Sequence, residues 1–596
     1  MGMDSAGGAG RRSTWQRWRW PVVVTLAVLA IVLGIVGHLQ VRAARGEPWS
    51  VLDCAYFTLQ QFFLMSGTVR GESVALEVAR WLAPAVAGYT VWVGLATLFR
   101  RQFDRVRLRL GRGHVVVCGL GEMGRRLASD LAASGERVVA IERAARGEGA
   151  RRLREAGVIV LAGDASDRLL LRRGGVARAR AVVVLCGDDG TNVEVAVRLH
   201  DLLSQKGARR AKPLQCYVHV ADLRLCRLFR DHRIFTESSE RLEARIINMY
   251  ETGARLLFLT HALERDVTGA DDPRGVHLVV VGCGQMGESV VLQAARLGHF
   301  ANGRRLRVTV VDQAAEAKQR SLQRRYPGLG RACDVTFVDG QFDDPETPDA
   351  IVGWARDPGA ATSVAVCFDD DSRSVACALS LLSELGDDRV PIFVRMGGDA
   401  GLAKLFDASS SRSAWAEYVD AFGLIDRVCT RRMLMGQALD RLARAIHASY
   451  LGRRQREGQT QEGGPLPPWE RLPQHLKASN RHQADHIPIK LRAVGCVSGP
   501  PRGDGEPVDA FSDDEVELLA RMEHARWSAE RWLEGWTPGP RDPDRKTTPY
   551  LVPYDELPQA VRDYDRQTVR EIPALLDLVG QKIYRANGAR PDAPTT

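Results

Sequence analysis

A strand-length apolar run that breaks into Gly-x-Gly-x-x-Gly and continues as a helix has few ways to fold, and this 596-residue chain carries it twice. His114-Val115-Val116-Val117-Cys118 opens into Gly119-Leu120-Gly121-Glu122-Met123-Gly124, a helical stretch runs to Ser134, and Val138-Val139-Ala140-Ile141 ends on Glu142. His277-Leu278-Val279-Val280-Val281 leads into Gly282-Cys283-Gly284-Gln285-Met286-Gly287, and Arg307-Val308-Thr309-Val310-Val311 ends on Asp312. In such a unit the first glycine makes the tight turn, the second lets backbone N–H groups approach a pyrophosphate, and the third admits close helix–strand packing. An acid about 20 residues on accepts hydrogen bonds from a ribose. Residues 112–265 and 275–430 therefore read as two α/β Rossmann-like domains. Gly119, Gly121, Gly124 and Glu142, with Gly282, Gly284, Gly287 and Asp312, are the candidate cofactor-binding residues. The cofactor expected is NAD(H) or another nucleotide; the alternative is a structural fold whose glycines serve packing.

The length calls for three or four domains, and what precedes the first copy is apolar. Pro21 to Gly37 carries no charge and spans a bilayer once its flanks are included, since about 20 residues cross the hydrocarbon core. It exceeds the ~7–15 residues of a signal peptide's apolar region, and no small-x-small cleavage site follows, so it reads as an uncleaved span. Trp81 to Phe99 is a second run, in which Pro84, Gly88 and Gly94 are tolerable in lipid. Arginines precede the first run (Arg11, Arg12, Arg17, Arg19) and follow the second (Arg100, Arg101, Arg105, Arg107, Arg109). The positive-inside rule then predicts a multi-pass protein of the cell (inner) membrane with N- and C-termini cytoplasmic. Residues 1–20 form a basic cytoplasmic N-terminus, 21–100 a membrane α-helical hairpin, and Arg100–Arg112 a linker.

Between the runs, Tyr56 to Phe63 predicts a short re-entrant helix, because lipid-level backbone that does not cross must be buried in protein or line a water cavity. The alternative is an amphipathic helix on the membrane surface. Span, short helix, span resembles the potassium-channel pore module, whose filter of backbone carbonyls follows the short helix. Leu64-Met65-Ser66-Gly67-Thr68 takes that place without a Thr-Val-Gly-Tyr-Gly run. Phe62, Leu64, Ser66 and Gly67 are thus candidate pore residues, and potassium selectivity is not implied.

Both duplicated domains resemble the RCK (TrkA N-terminal) family of channel and transporter regulators. In the first copy, Gly163-Asp164-Ala165 matches that family's turn after the third strand, and Cys186-Gly187-Asp188-Asp189-Gly190-Thr191-Asn192 matches its loop near bound nucleotide. The resemblance adds Asp164 and Asp188 to the candidate set. The second copy departs: Asp339-Gly340 reverses the order, and Ser374 stands where the Asn is expected.

After residue 450 the chain becomes polar and breaker-rich, so 435–510 reads as a helical connector with a helix from Ser479 to Arg492. Asp513 to Leu533 reads as a helix containing Glu523-His524-Ala525-Arg526-Trp527 and Glu530-Arg531-Trp532-Leu533-Glu534-Gly535-Trp536. Lys546-Thr547-Thr548-Pro549 and Leu551-Val552-Pro553-Tyr554-Asp555-Glu556-Leu557 follow, ahead of a final helix. This block resembles the ryanodine-receptor repeat (RyR domain), so 511–585 is expected to be a mainly α RyR-like domain, and the family implies nucleotide-derived ligands. His524, Trp527 and Arg531 share one helical face. With Trp536 they are candidate ligand-binding residues that could stack on a base and hold a phosphate; the alternative is an aromatic core stripe with Arg531 pairing an acid.

The 11 cysteines include no Cys-x-x-Cys pair, against a disulfide framework or zinc knuckle. His482 and His486, at i and i+4, lack a third ligand nearby, so no metal is expected. Nothing shows the basic-aromatic pattern of a nucleic-acid reader, and neither glycine unit is followed by a substrate domain, so an enzyme is not expected. The reading is a ligand-gated, channel-like homo-oligomer, a tetramer by analogy, whose RCK and RyR domains sense a small nucleotide and control a two-helix pore. The alternative is a non-conducting membrane-anchored sensor acting by oligomerisation or partner recruitment.

Overall fold

In a computed structural model of the chain, the described residues are 7–46, 50–65, 73–204, 212–230, 232–236, 241–342, 344–386, 388–398, 418–435, 438–456, 467–501 and 506–586. They fall into two compact units, Met1–Leu110 and Gly111–Thr596.

The first unit holds α1 (Gly7–Arg45), the short α2 (Val51–Gln61) and α3 (Val74–Leu110). Glycine sets how closely they pack: a Cβ on Gly34 would lie 2.4 Å from Thr58 Cγ2, and one on Gly37 would lie 2.7 Å from the Leu76 backbone N. Thr58 is fully buried, its hydroxyl donated to Cys54 O at 2.7 Å, and Ser73 donates to Gln40 Oε1 at 2.7 Å. Within α1, Trp20–Arg45 is long and apolar enough to cross a membrane, with mean hydropathy 2.7. Valines 24, 28 and 32 stay exposed along it. The expected linker at Arg100–Arg112 is instead mostly helix, because α3 runs unbroken to Leu110. No Gly or Pro interrupts 95–110, and its Arg and Leu are good helix formers. Phe62 caps α2, and Leu64 sits at φ +60, a conformation uncommon for a side chain of its bulk. Ser66 and Gly67 lie outside the described residues.

The second unit contains both duplicated domains. β1 (Val115–Cys118), β2 (Val138–Glu142), β3 (Ile159–Ala162), β4 (Ala181–Val184), β5 (Leu214–His219) and β6 (Leu242–Ile247) form a parallel sheet in the order β3-β2-β1-β4-β5-β6. β7 (Gly275–Val281), β8 (Arg307–Asp312), β9 (Asp334–Asp339), β10 (Ala360–Val366), β11 (Ile392–Arg395) and β12 (Val419–Phe422) repeat that topology as β12-β11-β10-β7-β8-β9. β1 and β4 are buried along their whole length, as expected for valine-rich parallel strands covered on both faces. The strand order reverses between β1 and β4, and between β7 and β10; each glycine turn opens at such a switch point.

Helices Arg441–Arg456, Gln474–Ala493, Asp513–Leu533, Gln559–Arg570 and Ile572–Leu578 make the C-terminal region. It also contains four strands the sequence reading lacked: Cys496–Gly499 pairs antiparallel with Lys582–Arg585, and the two-residue Thr537–Pro538 pairs parallel with Thr547–Thr548. Nor does this region form a lobe with its own core. Val290 and Leu297 of the second Rossmann-like domain share one apolar cluster with Ile487, Leu491, Leu519, Met522 and Ile572. Gly328 marks how tight the seam is, since a Cβ there would lie 2.3 Å from Trp532 O.

Candidate functional site

The first glycine turn joins β1 to α4 (Glu122–Ala133). Gly119 takes φ +90 with its would-be Cβ 2.5 Å from Leu185 O, and a Cβ on Gly124 would fall 2.0 Å from Gly119 O. These two glycines are therefore demanded by the packing itself. Gly121 differs: a Cβ there would meet nothing within 4 Å, and the same holds for Gly187 after β4. The space over this turn is open.

Around it the structure brings Glu142, Asp164 and Asp188 together. Glu142 clamps the turn, its Oε2 accepting from Leu120 N at 2.6 Å and its Oε1 from Ala144 N at 2.8 Å. Each carboxylate oxygen keeps a further lone pair for a ribose hydroxyl. Asp164 accepts from Ser166 N (2.9 Å) and the Ser166 hydroxyl (2.8 Å) and pairs with Arg143 Nε at 3.0 Å. The Ser166 hydrogen bonds, then Arg143, hold its carboxyl below the usual range. Asp188 is lowered by hydrogen bonds from Thr191, whose N donates at 2.8 Å. Burial, with Asp164 and Asp188 beside it, pushes the Cys186 thiol up to about 11, so it stays a thiol. Asn192, buried, accepts from Cys186 N at 2.7 Å and donates to Cys186 O at 3.2 Å, pinning the loop.

The second turn repeats the frame and not the opening. Gly282 takes φ +89, a Cβ on Gly287 would lie 2.1 Å from Gly282 O, and Asp312 clamps Cys283 N at 2.7 Å and Ala314 N at 2.9 Å. Asp369 holds the position of Gly187, with its Oδ2 3.5 Å from where a Gly284 Cβ would be. Arg395 pairs loosely with Asp369 (3.9 Å) and Asp371 (3.8 Å), and its NH1 donates to Phe368 O (3.1 Å) and Asp369 O (2.6 Å). Phe368 lies 3.0 Å from the would-be Cβ of Gly282, with Arg373 over its ring at 4.6 Å. A phosphate approaching this turn meets a carboxylate and a ring. Ser374 reaches Phe368 O at 3.4 Å, one bond where Asn192 makes two.

The helical face picked out in the C-terminal region divides in two. His524 is buried, hydrogen-bonded through Nε2 to Val552 O at 2.8 Å, 3.5 Å from Asp565, and stacked on Trp527 at 5.8 Å, which makes it a packing residue. Arg531 lies over Trp527 (5.6 Å) and Trp536 (5.1 Å) and pairs with Glu534 at 2.9 Å; Arg531 and Trp536 both face a cavity. Sequence reasoning passed over Glu523, Arg526 and Glu530. They form a buried ionic chain with Lys490 of the Gln474–Ala493 helix: Lys490 to Glu523 2.7 Å, Arg526 to Glu523 2.8 Å, Arg526 to Glu530 2.6 Å. The i, i+3, i+7 spacing of Glu523, Arg526 and Glu530 was the available signal. His486, the other half of the histidine pair, is spent on His299 O at 3.0 Å.

Residues 115–212 match the TrkA-N domain, and residues 509–585 match the RyR domain. No curated protein matches the chain. Among solved structures, GsuK bound to ADP is 17% identical, with TM-score 0.35, over 70% of this chain and 96% of that one. The GsuK channel bound to NAD is 14% identical, with TM-score 0.36, over 85% and 90%. The NAD(P)-binding domain of an exopolyphosphatase-related protein from Archaeoglobus fulgidus is 18% identical, with TM-score 0.18, over 23% and 89%.

Proposed function

We propose that the chain is a ligand-gated, channel-like membrane protein in which a nucleotide, NAD(H) or a relative, held at the first glycine turn controls a pathway built from α1, α2 and α3. The observation that carries the reading is the contrast between the turns. Gly121 and Gly187 leave room for a pyrophosphate above the positive end of α4, whereas in the second copy Asp369 sets a carboxylate oxygen at the rim of the equivalent space, 3.5 Å from where a Gly284 Cβ would be. The TrkA-N match falls on the open copy. In this reading Gly119 and Gly124 shape the turn, Gly121 admits the phosphates, Glu142 takes the ribose, and Asp164 and Asp188 border the pocket. Ligand that favours one arrangement of the cytoplasmic domains shifts the population, and a homo-oligomer, a tetramer by analogy with channels, transmits that shift through α3. The work is conditional ion passage across the cell membrane, with Phe62, Leu64, Ser66 and Gly67 near the pathway, and not bond-making.

Recording purified full-length protein in planar bilayers tests this: NAD or ADP is expected to change open probability, and silence under every nucleotide overturns the channel. The absence of a Thr-Val-Gly-Tyr-Gly run after α2 favours a second reading, a membrane-anchored sensor that conducts nothing and recruits partners.

A further inference from the structure

Away from both glycine turns, a cavity of about 620 Å³ opens between β5, β6 and the Met249–Thr260 helix on one side and the Gln285–Leu297 helix, the connector and the Asp513–Leu533 helix on the other. Small-molecule sites occupy roughly 300–1,000 Å³. Eight Lys and Arg side chains line it against four Asp and Glu. Five of the arginines are ion-paired. Three cations have no carboxylate within ion-pair distance among the described residues, although Glu251, Glu534 and Glu243 stand near enough to feel their charge. Arg296 lines the cavity with no side-chain hydrogen bond or ion pair among the described residues, its charge acting at longer range on Glu251 and Glu534. Lys477, 4% exposed, donates only to Glu470 O at 3.1 Å. Lys546 donates to Glu534 O at 3.1 Å and is held at φ +54, the left-handed region that side chains rarely adopt.

A buried ammonium with only a carbonyl partner is costly, and an anion brought beside it relieves the cost. Two further lining atoms, His482 Nδ1 and Glu530 Oε1, are buried without a hydrogen bond among the described residues, with His482 Nδ1 3.7 Å from Glu530 Oε2. Trp536 is half-buried at the same wall and stiffened by Arg531 at 5.1 Å, so it offers an indole plate. We propose that this cavity is a second ligand site, for a phosphorylated molecule carrying a planar aromatic ring, with Arg296, Lys477 and Lys546 taking the phosphate charge and Trp536 the ring. The site stands independently of the first glycine turn. Its walls come from both Rossmann-like domains and the C-terminal helix, so filling it favours one arrangement of all three.

Equilibrium dialysis of ADP against full-length protein in detergent, at low salt, tests it. Two classes of site are expected, one lost in Gly187→Asp and the other weakened at least tenfold in Arg296→Gln and in Lys546→Gln. Pyrophosphate is expected to bind the cavity more weakly and to be indifferent to Trp536→Ala, which weakens ADP. Because Arg296 is half-buried, melting of each variant is followed in parallel; if Arg296→Gln unfolds, the exposed Lys546→Gln decides. A single class of ADP site, abolished by Gly187→Asp and untouched by the other two, overturns the cavity site and leaves the glycine-turn reading standing. A single class that behaves the opposite way overturns the glycine-turn reading and upholds the cavity.

Discussion

Gly187 and Asp369 stand at one position in two copies of the same loop, and the difference between them is one carboxylate beside the glycine turn. Gly187→Asp, at a site where a Cβ meets nothing within 4 Å, is expected to keep the fold and weaken NAD or ADP binding at the first turn by tenfold or more, about 1.4 kcal/mol, read by dialysis beside an unchanged melting curve. Gly328→Ala is the opposite kind of change. Its methyl would be driven against Trp532 O, and the overpacking is expected to cost ~1–3 kcal/mol, seen as a lowered thermal midpoint. His277 gives the fold an acid limit. Burial, then Arg307, pushes it down to about 4, with Nε2 on Thr309 at 2.8 Å and Arg307 donating to Nδ1 at 3.1 Å. The unfolded chain takes this proton near pH 6.5 and the folded one only near 4, so stability falls as pH drops through that window, by about 3 kcal/mol. Denaturant midpoints measured from pH 7 to 4.5 should show a shallower fall in His277→Gln.

At the scale of elements, the buried chain Lys490–Glu523–Arg526–Glu530 ties the connector helix to the Asp513–Leu533 helix. Glu523→Ala leaves Lys490 and Arg526 sharing a buried site without their common carboxylate, and is expected to cost ~3–5 kcal/mol in denaturant titrations. The cavity wall predicts a pH response in binding. Burial, then the Arg245 and Arg481 charges, pushes Lys477 down to about 8; Arg444 adds to this from the Arg441–Arg456 helix, while Glu243 of β6 opposes it. Anion affinity at the cavity should therefore fall as pH rises through about 8 and should lose that dependence in Lys477→Gln. In the proposed gating the extent of α3 matters, because a helix unbroken to Leu110 is a stiffer connection than a loop. Inserting Gly-Gly-Ser after Arg105 is expected to leave nucleotide binding intact and abolish nucleotide-dependent flux; flux that still follows ligand would remove α3 from the gating path.

For the molecule as a whole, the doubled topology matters because the copies have diverged in their openings and kept their frames. Glu142 and Asp312 clamp their turns alike, and Asp189 and Asp371 hold the following segment alike, through Ala221 and Asp222 N in one and Gly397 N in the other. The glycine turns, their strands and the Asp513–Leu533 helix were legible in the sequence because each is set within a few residues by apolar period, turn chemistry and a capping box from Ser512 to Glu515. His524 was legible as part of a face with a ligand-facing and a core role both open, and its hydrogen bond to Val552 O favours the core role.

Local chemistry alone determined that two Gly-x-Gly-x-x-Gly units would each turn from strand to helix, because a positive φ and a backbone contact near 2 Å leave no other residue room. It also determined that an apolar helix would precede them. Which turn stays open, how Cys496–Gly499 finds Lys582–Arg585, and the cavity shared by Arg296, Lys477 and Trp536 were decided by tertiary structure. Those features join residues far apart in the chain, where no local periodicity acts, and long-range packing alone sets the distances between their charges.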